Sequence, residues 1–161
     1  MPLFASLIAM ILLSMTAYFA YGSNLSSRQM LARCPGAAAV GPASLVGFQL
    51  AFDRPSRRWG GHAADVLPRP GSLVWGMLWE VSASDLAELD RFEGVASGAY
   101  IRANAVVALM SGMHARAEVY RVATPAVPAL PSPRYLHVIL EGAREQALPG
   151  DWIRHLATFR A

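Results

Sequence analysis

Glu93 is the residue whose type and position could do chemistry, and it lies within the segment SASDLAELDRFEGV at residues 82–95. At about 100° per residue, a helix over this segment places Leu86, Leu89 and Glu93 on one stripe. A carboxyl group on an apolar face loses hydration, so its pKa rises towards values useful for general acid/base catalysis. From periodicity alone, a solvated carboxylate at a helix end remains the commoner interpretation.

A second candidate is the elbow Tyr21-Gly22-Ser23-Asn24-Leu25, which follows an aromatic run and precedes a helix-like segment. Gly22 permits unusual backbone angles and lets a ligand approach the backbone closely. Successive N–H groups that lead into a helix form a concavity suited to anions. Local chemistry favours an ordinary strand-to-helix turn capped by Ser and Asn, so a ligand-binding loop is the alternative.

Other catalytic motifs are missing from the sequence. It contains no GxGxxG, GxxxxGK[ST] or GxSxG pattern, so neither a nucleotide loop nor a serine nucleophile is predicted. Its single cysteine, Cys34, cannot form an internal disulfide and fits a reducing compartment, which favours a cytoplasmic location. No HExxH or paired ligand spacing occurs, so neither a metal site nor a cofactor is expected. The four histidines are His62, His114, His137 and His155.

The composition points to one globular domain. A chain of 161 residues supports a hydrophobic core without disulfides or metals. The net charge is +3, and arginine supplies all 14 basic residues. A nucleic-acid-binding protein concentrates positive charge on one face. Here only Arg54, Arg57 and Arg58 gather, in a loop that we interpret as solvated, so no nucleic-acid partner is expected.

The N-terminal run from Leu3 to Ala20 contains no charged residue and reaches the ~18-residue threshold for a membrane-spanning candidate. No basic residue precedes the run, no cleavage site follows it, and it continues into a strand-like aromatic segment. We therefore expect residues 1–14 to be an apolar extension or the artefact of a gene start that belongs at Met15. The domain then covers residues 15–161, and a short membrane anchor over residues 1–14 is the minority alternative.

The remaining pattern predicts about six strands and four helices that do not alternate strictly. This order favours an α+β fold, with a small closed β-barrel of about six strands and helices on its outside. Residues 68–71, Pro-Arg-Pro-Gly, predict a turn between two of the strands. The predicted strands cover residues 16–21, 45–52, 62–67, 73–81, 99–110 and 114–122, and the predicted helices cover residues 26–33, 82–92, 132–147 and 151–159.

Taken together, a series of motifs resembles the γ-glutamylcyclotransferase family, which includes AIG2-like and γ-glutamylamine cyclotransferase-like proteins. Each motif alone is only moderately specific, but their combination in this order is highly specific. The resemblance covers almost the whole chain except residues 1–14. The motifs are YFAYGSNL (18–25), RCP (33–35), LVGFQLAF (45–52), GGHAADVLP (60–68), VWGMLWEV (74–81), LDRFEGV (89–95) with GAY (98–100), PSPRY (131–135) and EGAREQALP (141–149).

The resemblance implies a small β-barrel with flanking helices and an intramolecular reaction. The α-amine of a γ-glutamyl group attacks its own γ-carbonyl, which releases 5-oxoproline and an amino acid or amine. Proximity within the substrate supplies the attack, so the reaction needs no protein nucleophile, metal or cofactor. One carboxylate can deprotonate the attacking amine and protonate the leaving amine.

The resemblance also implies roles for particular residues. Glu93 is the expected general acid/base, and Tyr100, seven residues later, borders the pocket. Backbone N–H groups around Gly22 are expected to hold a substrate carboxylate or the developing oxyanion. Tyr120 and Tyr135 also match family positions, with structural packing as an equal alternative. The segment expected to line the pocket consists of Tyr18, Phe19, Ala20, Tyr21, Gly22, Ser23, Asn24 and Leu25.

The leaving group and the partners remain open at this point. Members of the family act on γ-glutamyl dipeptides, on γ-glutamylamines or on acylated biosynthetic intermediates, and the loop at residues 54–59 is expected to shape the leaving-group side. The expected partner is a small γ-glutamyl compound, and a homodimer is left open. A barrel that retains the pocket as a binding or interaction module is the non-enzymatic alternative.

Overall fold

The computed structural model describes residues 15–160, which contain five strands, four helices and one 3-10 turn. The prediction for residues 1–14 lies outside these described residues. The strands are β1 (Thr16–Ala20), β2 (Ala38–Pro55), β3 (His62–Val81), β4 (Tyr100–Leu109) and β5 (His114–Val122). The helices are α1 (Ser27–Arg33), α2 (Ala83–Phe92), α3 (Pro133–Glu145) and α4 (Gly150–Ala157), and the 3-10 turn is Ser23–Leu25.

The strands form a closed barrel in the order β1-β3-β2-β4-β5. All neighbouring pairs are antiparallel except β1 and β5, which close the barrel in parallel where Tyr18 lies opposite Glu118. The predicted α+β class and closed barrel are confirmed, with five strands in the described chain instead of about six.

The strand count differs because the two segments predicted at residues 62–67 and 73–81 form one continuous strand, β3. Both halves of β3 pair with β2, at Pro68 opposite Phe48 and at Leu73 opposite Val46. The residues between them, 69–72, form a bulge in which Gly71 has a φ of +83°. The bulge takes Pro70, which has no N–H to donate, out of the hydrogen-bonded ladder without ending the strand.

Local sequence signals set the helix boundaries as predicted. Ser26 caps α1, and its hydroxyl accepts a hydrogen bond from the N–H of Gln29. Ser82 and Asp85 form a reciprocal capping box at the start of α2. Ser132 caps α3 ahead of a proline at the first turn. Among residues 15–160, no helix combines the length and the hydrophobicity that crossing a bilayer requires.

The core lies between the barrel strands and the helices that cover them. Its largest fully buried side chains include Trp79, Phe19 and Phe52. Gly76 makes this packing possible, because a Cβ atom there would lie 2.6 Å from the Phe19 ring. The first strand therefore packs closely against β3, its antiparallel neighbour, and the elbow begins directly after Ala20.

Candidate active site

A cavity of about 440 Å³ lies where β1, the 3-10 turn and the end of α2 meet the loop between β2 and β3. Nineteen residues line it, and Glu93 is the only acidic residue among them. Among residues 15–160, no group of three or more histidine, cysteine or acidic side chains could hold a metal ion. The cavity therefore presents one carboxylate to whatever it binds.

Glu93 lies at the end of α2, where the buried face of the helix meets the cavity. Its N–H donates to the carbonyl of Leu89 at 2.8 Å, and Gly94, with a φ of +64°, ends the helix directly after it. Only 18% of its side chain is exposed. Burial raises the pKa of Glu93, and the nearby arginines, first among them Arg33, partly offset this rise.

Arg33, at the end of α1, is the cation nearest to this carboxylate. Its Nη1 lies 3.9 Å from Oε1 of Glu93, and its side chain is 7% exposed. The same Nη1 donates to Oδ1 of Asn24 at 3.0 Å, and the guanidinium lies 4.6 Å from the centroid of the Phe92 ring. Its Nε has no hydrogen-bond partner among the described residues. Arg33 is thus held between the elbow and the end of α2.

The elbow is a 3-10 turn whose side chains are fixed by hydrogen bonds. Asn24 is 3% exposed, and its Nδ2 donates to the Tyr18 hydroxyl at 3.0 Å. Gly22 allows close packing, because a Cβ atom there would lie 3.3 Å from the Tyr135 hydroxyl. The first N–H groups of such a turn have no partner inside it. They are available to an anion in the cavity.

Five tyrosines line the cavity, and burial is the main cause that raises the pKa of each hydroxyl. Three of these hydroxyls are already committed as donors: Tyr21 to the carbonyl of Tyr120 at 2.6 Å, Tyr100 to the carbonyl of Ala64 at 2.7 Å, and Tyr120 to Asp90 at 2.7 Å. Tyr18 and Tyr135 instead accept hydrogen bonds, from Asn24 and from the N–H of Ala64. Their neutral hydroxyls retain a proton that can be donated to a ligand.

The end of β2 and the loop that follows it supply the remaining wall. Arg54 lies 5.3 Å from the centroid of the Tyr100 ring, and Arg58 lies 5.6 Å from that of Phe92. Trp59 packs on Tyr135 at 4.8 Å between ring centroids. We interpreted this arginine loop as solvated. The structure shows that Arg57 and Arg58 are exposed, and that the loop nevertheless lines the cavity together with Phe92 at the end of α2.

The structure brings most of the predicted site residues together. The predicted residues that line the cavity are Tyr18, Tyr21, Gly22, Ser23, Asn24, Glu93 and Tyr100. Phe19, Ala20 and Leu25 do not line it and are at most 1% exposed. Phe19 points to Gly76 of β3, as alternation along a strand requires, and Leu25 packs against Gly142 of α3.

Several lining residues escaped prediction. Arg33 and Phe92 reach the cavity because α1 packs on α2. Ala63 and Ala64 reach it because β3 begins beside the cavity, at His62. The one available signal for Arg33 was its place in the RCP motif at residues 33–35. Nothing in the local pattern distinguished Phe92 from an ordinary helix-end aromatic residue.

The fold and the cavity define a class of small closed-barrel proteins with one buried carboxylate in a tyrosine-walled pocket. The AIG2-like family matches this chain over residues 73–156. A solved structure of a γ-glutamyl cyclotransferase superposes with a TM-score of 0.87 at 35% identity, covering 91% of this chain and 88% of that one.

Sequence relatives agree with this likeness. A γ-glutamylcyclotransferase of Bos taurus is 38% identical over 144 residues, which covers 86% of this chain and 76% of the relative. The Homo sapiens protein of the same name is 39% identical over 139 residues, covering 84% of this chain and 73% of the relative. The chain belongs to the γ-glutamylcyclotransferase family, and the resemblance drawn from its motifs is confirmed.

Proposed function

We propose that the protein is a γ-glutamylcyclotransferase that converts a γ-glutamyl amino acid or amine into 5-oxoproline and the free amino acid or amine. The observation that carries this proposal is Glu93, a single carboxylate that is mostly buried at a helix end and faces a cavity of substrate size. Its relatives carry the name of this activity. The reaction takes place in the cytoplasm, where a free Cys34 remains reduced.

Glu93 acts first as the base and then as the acid. Its carboxylate takes a proton from the substrate α-ammonium, and the freed amine attacks the γ-carbonyl carbon to close a five-membered ring. The protonated Glu93 then gives its proton to the leaving nitrogen as the original amide bond breaks. The ring nitrogen loses its second proton to the same carboxylate, which passes it to the released amine, so that Glu93 ends the cycle ionised. A carboxyl group whose pKa is raised by burial suits both steps, because its carboxylate is a stronger base than an exposed one and it can still give the proton back.

The elbow holds the charges that surround this proton transfer. The N–H groups around Gly22–Asn24 bind the substrate α-carboxylate or the oxyanion that develops on the γ-carbonyl oxygen. The hydroxyls of Tyr18 and Tyr135, which have a proton to spare, add donors on the same side. Tyr100 forms the wall next to them, and its hydroxyl keeps donating to the carbonyl of Ala64.

The test is the release of 5-oxoproline from a panel of γ-glutamyl dipeptides and γ-glutamylamines by the wild type and Glu93→Gln. We expect release from at least one substrate and a loss of about 100-fold or more in the variant, the range for a removed general acid/base. Glu88→Gln is the matched control, because Glu88 lies on the same helix, is 49% exposed and pairs only with Arg91.

Two outcomes would count against this proposal. Full activity of a folded Glu93→Gln variant, with folding checked by circular dichroism, would remove Glu93 from the mechanism. Failure of the wild type to act on any member of the panel would favour the alternative of a barrel that keeps the pocket as a binding module.

A further inference from the structure

The cavity carries more positive charge than the proposed reaction requires. Four arginines line it, against the single carboxylate of Glu93. Arg33 is committed to Glu93 and to Asn24. The other three, which we call the loop arginines, make no ion pair with any residue of the described chain. The loop arginines are Arg54, Arg57 and Arg58.

The loop arginines are presented by a fixed segment. The N–H of Ser56 donates to the carbonyl of Gly61, and that of Gly60 donates to the carbonyl of Ser56, both at 2.9 Å. The Ser132 hydroxyl donates to the carbonyl of Trp59 at 2.7 Å, which ties the loop to the start of α3. The backbone that carries these side chains is therefore ordered before a ligand binds, which lowers the conformational cost of binding an anion there.

The negative charge of the substrate distinguishes the possible leaving groups. A γ-glutamylamine carries one carboxylate, which the elbow can hold, and so leaves all of the loop arginines without a partner. A γ-glutamyl dipeptide with a neutral second residue adds one carboxylate. Only a dipeptide whose second residue is acidic adds two, and two carboxylates match three guanidinium groups far better than one does.

We propose, on the basis of the function proposed above, that the preferred substrate is a γ-glutamyl dipeptide with an acidic leaving residue, such as γ-glutamyl-L-glutamate. Arg54, the deepest of the loop arginines, takes the α-carboxylate of the leaving residue. Arg57 and Arg58 at the mouth take its side-chain carboxylate. The reaction then releases 5-oxoproline and a free acidic amino acid, and no atoms or protons enter it beyond those that Glu93 passes on.

The test compares kcat/KM for γ-glutamyl-L-glutamate with that for γ-glutamyl-L-glutamine, which has the same shape without the charge. We expect a ratio of about tenfold or more in favour of the acidic substrate, because hydrogen bonds to an ionised partner are roughly twice as strong as neutral ones. In the double variant Arg57→Gln/Arg58→Gln, the ratio should fall towards one. Arg69→Gln is the matched control, since Arg69 is exposed, lies outside the cavity and bonds only to Gln49, so the ratio should not change.

Equal or lower kcat/KM for the acidic substrate in the wild type overturns this inference, and the activity itself then still supports the cyclotransferase. A preference for the acidic substrate that survives in the double variant also overturns it, because the loop arginines would then not cause that preference. No release of 5-oxoproline from either dipeptide, by an enzyme that acts on another member of the panel, overturns the inference alone. No release from any member of the panel overturns the inference together with the proposed function.

Discussion

Burial and the charge of Arg33 act in opposite directions on the pKa of the Glu93 carboxyl. Burial raises the pKa of the Glu93 carboxyl, whereas the positive charge of Arg33, 3.9 Å away, lowers it. Burial prevails, so the carboxyl holds its proton to a higher pH than an exposed glutamate does. The amine can attack only after an ionised Glu93 has taken its proton, so the pKa of this carboxyl should set the acidic limit of activity.

Replacing Arg33 by Gln should therefore move the acidic limb of the kcat/KM profile to higher pH. Without the guanidinium, burial acts on Glu93 with less opposition, and the carboxylate forms only at higher pH. The measurement is kcat/KM for a γ-glutamyl dipeptide across the pH range, for the wild type and the variant. Arg28→Gln, an exposed position on the same helix, is the control and should leave the limb in place. A limb that moves to lower pH would contradict the proposed pairing.

The sequence predicted the place of Glu93 but not that of Arg33, because the first depends on neighbouring residues and the second on contacts between distant segments. The position of Glu93 follows from helical periodicity within a single segment. The position of Arg33 depends on how α1 packs against α2, and about sixty residues separate the two helix ends in the chain. Local pattern likewise favoured a solvated loop for Arg58, and only the family resemblance gave residues 54–59 a place at the pocket.

Among the elements, the contact between α3 and the 3-10 turn sets the shape of the elbow. Gly142 of α3 faces the turn so closely that a Cβ atom there would lie 2.5 Å from the Ser26 nitrogen and 2.6 Å from the Leu25 carbonyl carbon. Gln146, one turn later, donates to the carbonyl of Leu25 at 2.9 Å. The helix thus supports the turn from behind while the turn faces the cavity.

The variant Gly142→Ala should be destabilised and less active. The new methyl group meets backbone atoms that cannot rotate away, and overpacking of this kind costs about 1–3 kcal/mol. Moving the turn also displaces the N–H groups that we assign to the substrate, so kcat/KM should fall. Thermal unfolding and 5-oxoproline release measure the two effects. Glu141→Ala is the control: this neighbouring side chain is 64% exposed, so neither the unfolding temperature nor kcat/KM should change. An unchanged unfolding temperature for Gly142→Ala would refute the tight contact.

The helix starts could be predicted from the local sequence, whereas the ends of the strands could not. Caps at Ser26, Ser82 and Ser132 gave the helix starts, because capping depends on neighbouring residues alone. The range predicted for β2, residues 45–52, was too short, since the strand extends over Ala38–Pro55. Its ends are held by pairing with β3, and partners that are distant in sequence leave no local signal.

At the scale of the whole molecule, barrel closure buries a pair of carboxyl groups beside the cavity. Asp53 of β2 and Asp65 of β3 are each 1% exposed. Oδ1 of Asp65 accepts hydrogen bonds from the N–H groups of Val66 and Val122, at 2.8 and 2.9 Å. Neither carboxyl oxygen of Asp53 has a partner among the described residues. Burial, followed by the charge of Asp65, raises the pKa of Asp53.

This pair should make the folded protein less stable as the pH rises. The pKa of Asp53 is higher in the folded than in the unfolded chain, so its contribution favours folding at low pH and is lost once the pH exceeds the folded-state pKa. Burial also raises the pKa of Asp65. The N–H groups of Val122 and Val66 and the charge of Arg121, which donates to the carbonyl of Val66, offset this rise only in part.

Replacing Asp53 by Asn should therefore raise the free energy of unfolding at pH 7.5. We expect a gain on the order of 1–3 kcal/mol, the free energy that corresponds to raising the pKa of a carboxyl from its ordinary value to about 6, since Asn has no proton to lose. The gain should shrink as the pH falls to about 4, where the aspartate of the unfolded chain also takes up its proton. Urea unfolding at both pH values measures it, with Glu80→Gln as the control at an exposed position. A variant less stable than the wild type at pH 7.5 would show that an ionised Asp53 contributes to the fold, contrary to the direction in which burial shifts its pKa.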